Sequence, residues 1–323
     1  MTTRIITTIP VFNGEQFILQ TLESLVRQTR RPDRVVVLDN CSTDRTEAIV
    51  KGFESVQCEW SRNPTNLGVF GNFNRCLDFA EDADYLHILH ADDLIEPEFY
   101  AVMTELLEDC TGTALGWCLD ERIDEQNRRL SLSGRPDGKV VVIAKDDFLK
   151  RKAEISNQAF AATLLKTCRR PSSARFPMDM PILGDAVFWA LFGQQCDKFV
   201  HVHRVLAKYR WHGTNSTHLA APGIQALVLD EWRTMELNEA LRRVPRSFLR
   251  EFKLKGLMAV RSGIKAKRFR QMKNYDYARQ IVQAVRPITG PLAWALAQVL
   301  VETRDLAIYT IGRRPRHPKN VYG

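Results

Sequence analysis

Ile5-Ile-Thr-Thr-Ile9 and Arg34-Val-Val-Val-Leu38 are short β-branched runs, and between them Phe17, Leu19, Leu22, Leu25 and Val26 recur at helical spacing. This stretch reads as strand, helix, strand. Ser42-Thr43-Asp44 then supplies helix-start residues ahead of a helix from Thr46 to Phe53, and Asn72 to Glu81 reads as a further helix before the apolar run Tyr85-Leu-His-Ile-Leu89. Strands alternating with helices predict an α/β fold, a Rossmann-related, mostly parallel sheet flanked by helices, with ligands in the crevice beyond the carboxyl ends of the strands. The polar clusters Pro10-Val-Phe-Asn-Gly14, Asp39-Asn-Cys-Ser-Thr-Asp44 and His90-Ala-Asp-Asp93 each follow one of these strands, so the topology gathers them at one sheet edge.

The rest of the chain reads differently. Beyond about residue 115 the alternation weakens, with a turn-rich stretch at Ser133-Gly-Arg-Pro-Asp-Gly138 and a Pro-rich one from Arg170 to Pro181. From about Ala221 the pattern is helical and basic: residues 241–323 hold 19 Lys/Arg against 4 Asp/Glu, leaving 27 against 34 in residues 1–240. The net charge of +8 thus belongs to the tail, which suits an anionic membrane surface, a nucleic acid or a solvated helical face. Within the tail, Ile288 to Val301 is apolar except for Thr289 and Gln298; its 14 residues fall short of a bilayer span and predict a buried or interfacial helix. The first ten residues show no basic leader with a long apolar stretch, which predicts a cytoplasmic location. The seven cysteines form no C-x-x-C pair and no zinc spacing, so reduced thiols are expected.

His90-Ala91-Asp92-Asp93 is the most informative chemistry. Adjacent carboxylates at a strand end repel, a cost offset by a divalent cation or by donors from a helix terminus, and a hard cation there could bridge the phosphates of a nucleoside diphosphate. An isolated Asp-Asp would more often be an acidic turn and helix cap.

Taken in order and spacing, Ile9-Pro-Val-Phe-Asn-Gly14, Leu38-Asp-Asn-Cys-Ser-Thr-Asp44, Asn66-Leu-Gly68 and His90-Ala-Asp-Asp93 resemble the family 2 glycosyltransferases of GT-A fold, bacterial cell-surface polysaccharide enzymes among them. The resemblance is strong to about residue 100, thinner to about 218, and does not cover the tail. It implies that Pro10, Phe12 and Glu15 line a nucleotide pocket, with Phe12 packing on the base. Asp39 would accept a hydrogen bond from the base imide, which favours uracil or thymine. Asn66, Gly68 and Asn74 would lie along the nucleotide. Asp92 matches the metal carboxylate that ends the family's D-x-D element, with Ala91 between it and His90, which stands where the family usually has Asp. His90 would bond the ribose or serve a structural role. Phe73 stands where the family commonly has Arg.

Leu183-Gly184-Asp185-Ala-Val-Phe-Trp189 resembles the family's Glu-Asp element, with Gly184 in place of Glu and Asp185 as the general base that deprotonates the acceptor hydroxyl. Gly-Asp before an apolar helix is equally good cap chemistry, and both readings put Asp185 at a helix start. Tyr209-Arg210-Trp211-His212-Gly213-Thr-Asn215-Ser216 resembles the segment that closes over the diphosphate, with Arg210 as phosphate donor and His212 as metal ligand or phosphate contact.

The resulting expectation is an inverting, metal-assisted enzyme that moves a sugar from a UDP- or dTDP-sugar to a saccharide or lipid-linked acceptor. Mg²⁺ or Mn²⁺ is the cofactor implied. A GT-A-like catalytic domain would span residues 1–220 and a basic helical region residues 221–323, the latter at a partner or at the inner face of the cell membrane. The competing readings are an inactive nucleotide-sugar-binding homologue, a nucleotidyltransferase, and a nucleic-acid-binding protein. Pro10-Val-Phe-Asn-Gly14 lacks the Gly-rich, Arg/Lys-bearing loop of a sugar-activating nucleotidyltransferase. No nucleic-acid-binding motif is recognisable, and none is expected as a partner.

Overall fold

The structure, a computed structural model, describes residues 3–153, 159–180, 182–213, 223–241 and 247–310. It divides into two compact units, Met1–Ala220 with Leu237–Arg242, and Ala221–Glu236 with Arg243–Gly323.

In the first unit the opening alternation is realised as β1 (Ile5–Val11), α1 (Ile18–Val26), β2 (Arg34–Asp39), α2 (Thr46–Lys51), β3 (Cys58–Arg62), α3 (Gly68–Leu77) and β4 (Tyr85–Ile88). β3-β2-β1-β4 is wholly parallel; β1, β2 and β4 are the strands that the alternation predicts, and β3 is one it does not single out. β1 has β2 on one side and β4 on the other, so the chain reverses its direction of winding there, and the loops after β1 and β4 open onto that switch point. Side chains alternate across these strands. Ile5, Ile9, Val35 and Val37 pack under α1 on one face; Ile6, Val36 and Leu38 pack under α3 on the other.

Where the alternation fades, the sheet changes character. β5 (Leu94–Ile95), α4 (Phe99–Leu107), β6 (Ala114–Ile123), β7 (Arg129–Leu132), β8 (Val140–Val142), α5 (Lys145–Ala153), β9 (Thr163–Lys166), α6 (Gly184–Gln195) and β10 (Lys198–Arg210) follow. β9 inserts antiparallel between β4 and β6; β10 runs parallel to β6 and antiparallel to β5 and β8. The result is one ten-stranded mixed sheet with helices on both faces.

α3 begins four residues before the helix predicted from Asn72. Two asparagine side chains account for this: Asn40 Oδ1 accepts from Leu67 N at 2.8 Å and Asn66 Oδ1 from Gly68 N at 2.9 Å, satisfying first-turn donors that the helix cannot satisfy itself. Gly68 sits at φ 72°, a conformation that favours glycine. α6 is buried nearly all round, through Ala186, Val187, Phe188, Trp189, Ala190 and Phe192, and this anchors the Asp185 turn at its start.

The second unit comprises residues 223–236 of α7 (Gly223–Leu241), α8 (Phe248–Gln271) and α9 (Tyr275–Thr310), with a core of Met258, Ala259, Ala266, Ile281, Val285 and Ala297. The apolar stretch predicted to be too short for a bilayer belongs to a longer run. Tyr275–Val301, 27 residues, is long and apolar enough to cross a membrane by length and composition, and a third of its most apolar window is buried. Gly290, at φ 76° and ψ 164°, breaks this run, and Pro291 follows at a position suited to starting a new helix.

Candidate active site

Three loops meet beyond the carboxyl ends of β1, β2 and β4. The loop after β1 and the loop after β2 clasp each other: Asn13 N donates to Ser42 Oγ at 2.8 Å, Gly14 N to Thr46 Oγ1 at 2.8 Å and Glu15 N to Asp44 Oδ2 at 2.9 Å, while Thr43 N returns to Asn13 Oδ1 at 2.8 Å. Glu15 closes the clasp, accepting from Arg45 N at 3.0 Å and Arg45 Nε at 3.1 Å. Phe12 stands outside it, 52% exposed, its ring open to a planar ligand, whereas Pro10 is buried in β1.

Asp39 is fully buried, and its carboxylate accepts from Ser42 N at 2.9 Å and Arg62 Nη1 at 2.7 Å. Behind it a ladder of asparagines ties two loops and α3 together: Asn40 Nδ2 donates to Asn66 Oδ1 at 2.8 Å, and Asn63 Nδ2 to Asn40 Oδ1 at 3.1 Å and Asn72 Oδ1 at 3.0 Å. Asn66 and Gly68 are therefore held at this edge. Asn74 lies apart from them; its amide pairs with both backbone groups of Phe176, at 3.0 and 2.8 Å, and so anchors the 172–178 segment.

The acidic loop is held from two sides. Thr21 Oγ1, on α1, donates to Ala91 O at 3.0 Å and Asp93 O at 2.9 Å. From the end of β10, Arg210 N donates to Asp93 Oδ1 at 2.8 Å and Arg210 Nε to Asp92 O at 2.8 Å. The Arg210 guanidinium was expected to face phosphate. It is instead fully buried, held also by Asp124 O, Asn127 Oδ1 and Gln20 Oε1 and stacked over Phe17, so it organises the acidic loop from behind. His212 Nε2 lies 2.8 Å from Asp92 Oδ2 and orients that carboxylate. Asn215 and Ser216 lie outside the described residues.

His90, Asp92 and Asp93 each offer a ligand atom, all within 4.8 Å of one another. Two buried atoms here lack a hydrogen-bond partner among the described residues, His90 Nε2 and Asp93 Oδ2, and His90 Nδ1 lies 3.7 Å from the latter. Burial and the neighbouring Asp92 charge push the Asp93 carboxyl well above the usual range, and burial lowers the His90 imidazole. Unpaired buried donor atoms in an acidic group under mutual repulsion are what a divalent cation satisfies, so these residues fit a metal. His212 is outside the three-residue group. Asp93 is inside it, a ligand candidate that the Asp-Asp pair signalled but the D-x-D comparison passed over.

Tyr209 is the other residue the sequence did not single out. Its phenol is pushed upward first by burial, then by the charges of Asp93, Asp92 and, more weakly, Asp185, so one side chain feels all three carboxylates. Asp185 lies in the first turn of α6, two residues after the cap position at Leu183, and its carboxylate accepts from its neighbour Ala186 N at 2.7 Å, satisfying a first-turn donor.

The two departures from the family pattern at 73 and 90 meet in space. Phe73 stacks on His90, with ring centroids 5.0 Å apart and an interplanar angle of 29°. At the third, Gly184, an added Cβ would lie 2.5 Å from the Phe70 ring.

No curated protein matches the chain in sequence. Among solved structures it is similar to Staphylococcus aureus TarS 1–349 in complex with UDP-GlcNAc, at 14% identity and TM-score 0.58 over 88% of this chain and 92% of that one. The same TarS segment in complex with UDP gives 14% identity and TM-score 0.55, over 97% and 93%. These likenesses show the GT-A-like fold. Residues 7–166, from β1 through β9, match the family described as glycosyl transferase family 2. On that match, with its strand order and its acidic loop after β4, residues 7–166 form a family 2 glycosyltransferase domain.

Proposed function

We propose that this glycosyltransferase moves a sugar from a UDP- or dTDP-sugar to a hydroxyl of a saccharide or lipid-linked saccharide, inverting the anomeric carbon. The observation that carries the reading is the acidic group after β4, in which His90, Asp92 and Asp93 offer ligand atoms within 4.8 Å of one another, with Asp93 Oδ2 unpaired among the described residues, in a chain whose residues 7–166 match the family 2 glycosyltransferases. That TarS binds UDP and UDP-GlcNAc supports a pyrimidine nucleotide.

In this reading Phe12 packs on the base and Asp39 orients Arg62 beside it, while Asn66 and Gly68 border the ribose. Held by His90, Asp92 and Asp93, Mg²⁺ or Mn²⁺ would supply positive charge to the leaving diphosphate. Arg210, Thr21 and His212 position those ligands. Asp185 takes the proton of the acceptor hydroxyl as its oxygen bonds to the anomeric carbon, and the bond from that carbon to the phosphate oxygen breaks with its electron pair on the nucleoside diphosphate. Attack from the side opposite the leaving group inverts the centre. For the second unit we infer an anionic membrane surface. Exposed Phe248 and Leu249 accompany exposed Lys253 at one end of the 24-residue α8, and exposed Met272 accompanies Arg268, Arg270 and Lys273 at its other end, about 36 Å away; apolar and basic side chains together at each end support that reading.

The test is thermal stabilisation by UDP-, dTDP-, GDP- and ADP-sugars with Mn²⁺ or with EDTA. A pyrimidine nucleotide at a hundredfold excess over its Kd should add about 2.7 kcal/mol, only with metal, and lose this in Asp92→Asn. Asp185→Asn should keep that stabilisation and lose about 10²- to 10⁴-fold in transfer rate. Stabilisation without turnover in the unaltered chain would favour the inactive-homologue reading, and no stabilisation by any nucleotide would end the transferase reading.

A further inference from the structure

The reaction proposed above puts the donor sugar between the diphosphate at the acidic loop and the base at Asp185, because attack and departure occur on opposite sides of its anomeric carbon. The wall that joins those two points is aromatic. It runs from His90, a member of the acidic group, to Phe73 stacked on it at 5.0 Å and on to Phe70, 6.1 Å from Phe73, which fills the space beside Gly184, with buried Phe176 packed behind both at 5.4 and 5.5 Å. Phe70, Phe73 and His90 are half-buried, and exposed Val69, one turn before Phe73 on α3, extends the wall at its rim. At positions 73, 90 and 184 the resemblance leads one to expect Arg, Asp and Glu, three charged groups that hydrogen-bond hydroxyls well. Phe, His and Gly stand there, in contact with one aromatic cluster.

Resting on the transferase reading, we propose that this wall selects a donor sugar presenting a methyl group toward it, either the C6 methyl of a 6-deoxyhexose or the acetamido methyl of an N-acetylhexosamine. A sugar hydroxyl pressed against these rings loses its water and gains no partner, whereas a methyl group loses nothing and gains contact. The sequence alone could not reveal this, because the three departures look like independent losses until Phe73 is seen stacked on His90 and Phe70, its neighbour at 6.1 Å, is seen against Gly184.

The experiment compares, on the full chain with Mn²⁺, the affinities of UDP-glucose against UDP-N-acetylglucosamine and of dTDP-glucose against a dTDP-6-deoxyhexose, with free UDP and dTDP as references. A methyl-bearing sugar should bind about tenfold or more tightly than its fully hydroxylated partner, the scale expected for one methyl-sized group in an apolar pocket, and the arm in which this occurs identifies the sugar. Phe73→Arg should reduce the preference to within about twofold, read as the ratio of the two sugar nucleotides' affinities so that any change in nucleotide affinity common to both cancels. Should Phe73→Arg fold poorly, Val69→Gln, on an exposed side chain one turn away on α3, should at least halve the preference. Free nucleotide binding with no preference for either methyl-bearing sugar overturns this proposal alone. Failure of every nucleotide to bind overturns it together with the transferase reading on which it rests.

Discussion

Gly184 is small because Phe70 is large. With the ring 2.5 Å from where a Cβ would sit, even alanine must displace it, and the Glu expected from the family pattern has no room. The departure therefore does not by itself mark a dead site: it belongs to a repacked wall, and Asp185 next to it keeps its place in the first turn of α6. Gly184→Glu should destabilise the chain by about 1–3 kcal/mol through overpacking. Gly184→Glu combined with Phe70→Ala should recover most of that loss by removing the clash, as urea melts of the two variants would measure. Equal instability of the single and double variants would mean that the ring is not what excludes the larger side chain. Arg210 teaches a related lesson at the same scale. A guanidinium in a family-like segment reads as a phosphate donor, yet burial and five protein oxygens make it a brace for Asp92 and Asp93.

At the scale of elements, the acidic loop is as well placed as the packing of β1, β4 and α4 beneath it. Inside that packing lies a polar chain: Thr7 Oγ1 is 2.5 Å from Tyr100 Oη, which is 2.9 Å from His87 Nδ1, all three residues buried. Burial drives the His87 imidazole down from 6.5 to about 3, against the weaker opposing pull of the Ala161 and Phe160 backbone. Between those values the unfolded chain binds a proton and the folded chain does not. The stability associated with neutral His87 is thus complete above about pH 6.5 and drains away as pH falls toward 3. The loss should reach about 2–3 kcal/mol by roughly pH 4.5. His87→Phe, which cannot titrate, should flatten that slope in denaturant melts taken from about pH 7 to pH 4.5; an unchanged slope would assign the acid sensitivity to other groups. Side chains likewise explain why β3 leads so directly into α3. First-turn acceptors come from Asn66, two residues from Gly68, and from Asn40, 27 residues from Leu67, and the second is a capping device that a local reading of residues 66–72 does not show.

For the whole molecule, the two units differ in what they present to their surroundings. The acidic loop and the clasped loops lie in the first unit; the second displays basic and apolar side chains on the surface of its helices. If that surface meets an anionic bilayer, each basic residue near it contributes about 1 kcal/mol at low salt, and exposed rings add their burial. The full chain should then float with phosphatidylglycerol-containing liposomes and not with neutral ones, and the exposed pair Phe248→Ser and Leu249→Ser should abolish flotation without lowering the melting temperature. Flotation unaffected by that pair would remove these residues from the contact.

Local patterns carried much of the architecture. β-branched runs and helical spacing between residues 5 and 89 were enough to predict β1, β2 and β4, since hydrophobic periodicity is local and those strands are buried on both faces; β3, half-exposed at the sheet edge, carries no such run. Polar clusters placed directly after strands made the site edge legible for the same reason, and the family pattern drew attention to Asp92 and Asp185. What depended on contacts between distant segments stayed out of reach. The antiparallel insertion of β9 between β4 and β6, the placement of Asp93 with its unpaired Oδ2 beside His90, the burial of Arg210, and the meeting of Phe73 with His90 and of Phe70 with Gly184 are products of tertiary packing. Periodicity says which face of an element is apolar; only the folded chain decides which side chains that face brings together, because pairing partners are chosen by the packing of the whole sheet and its helices.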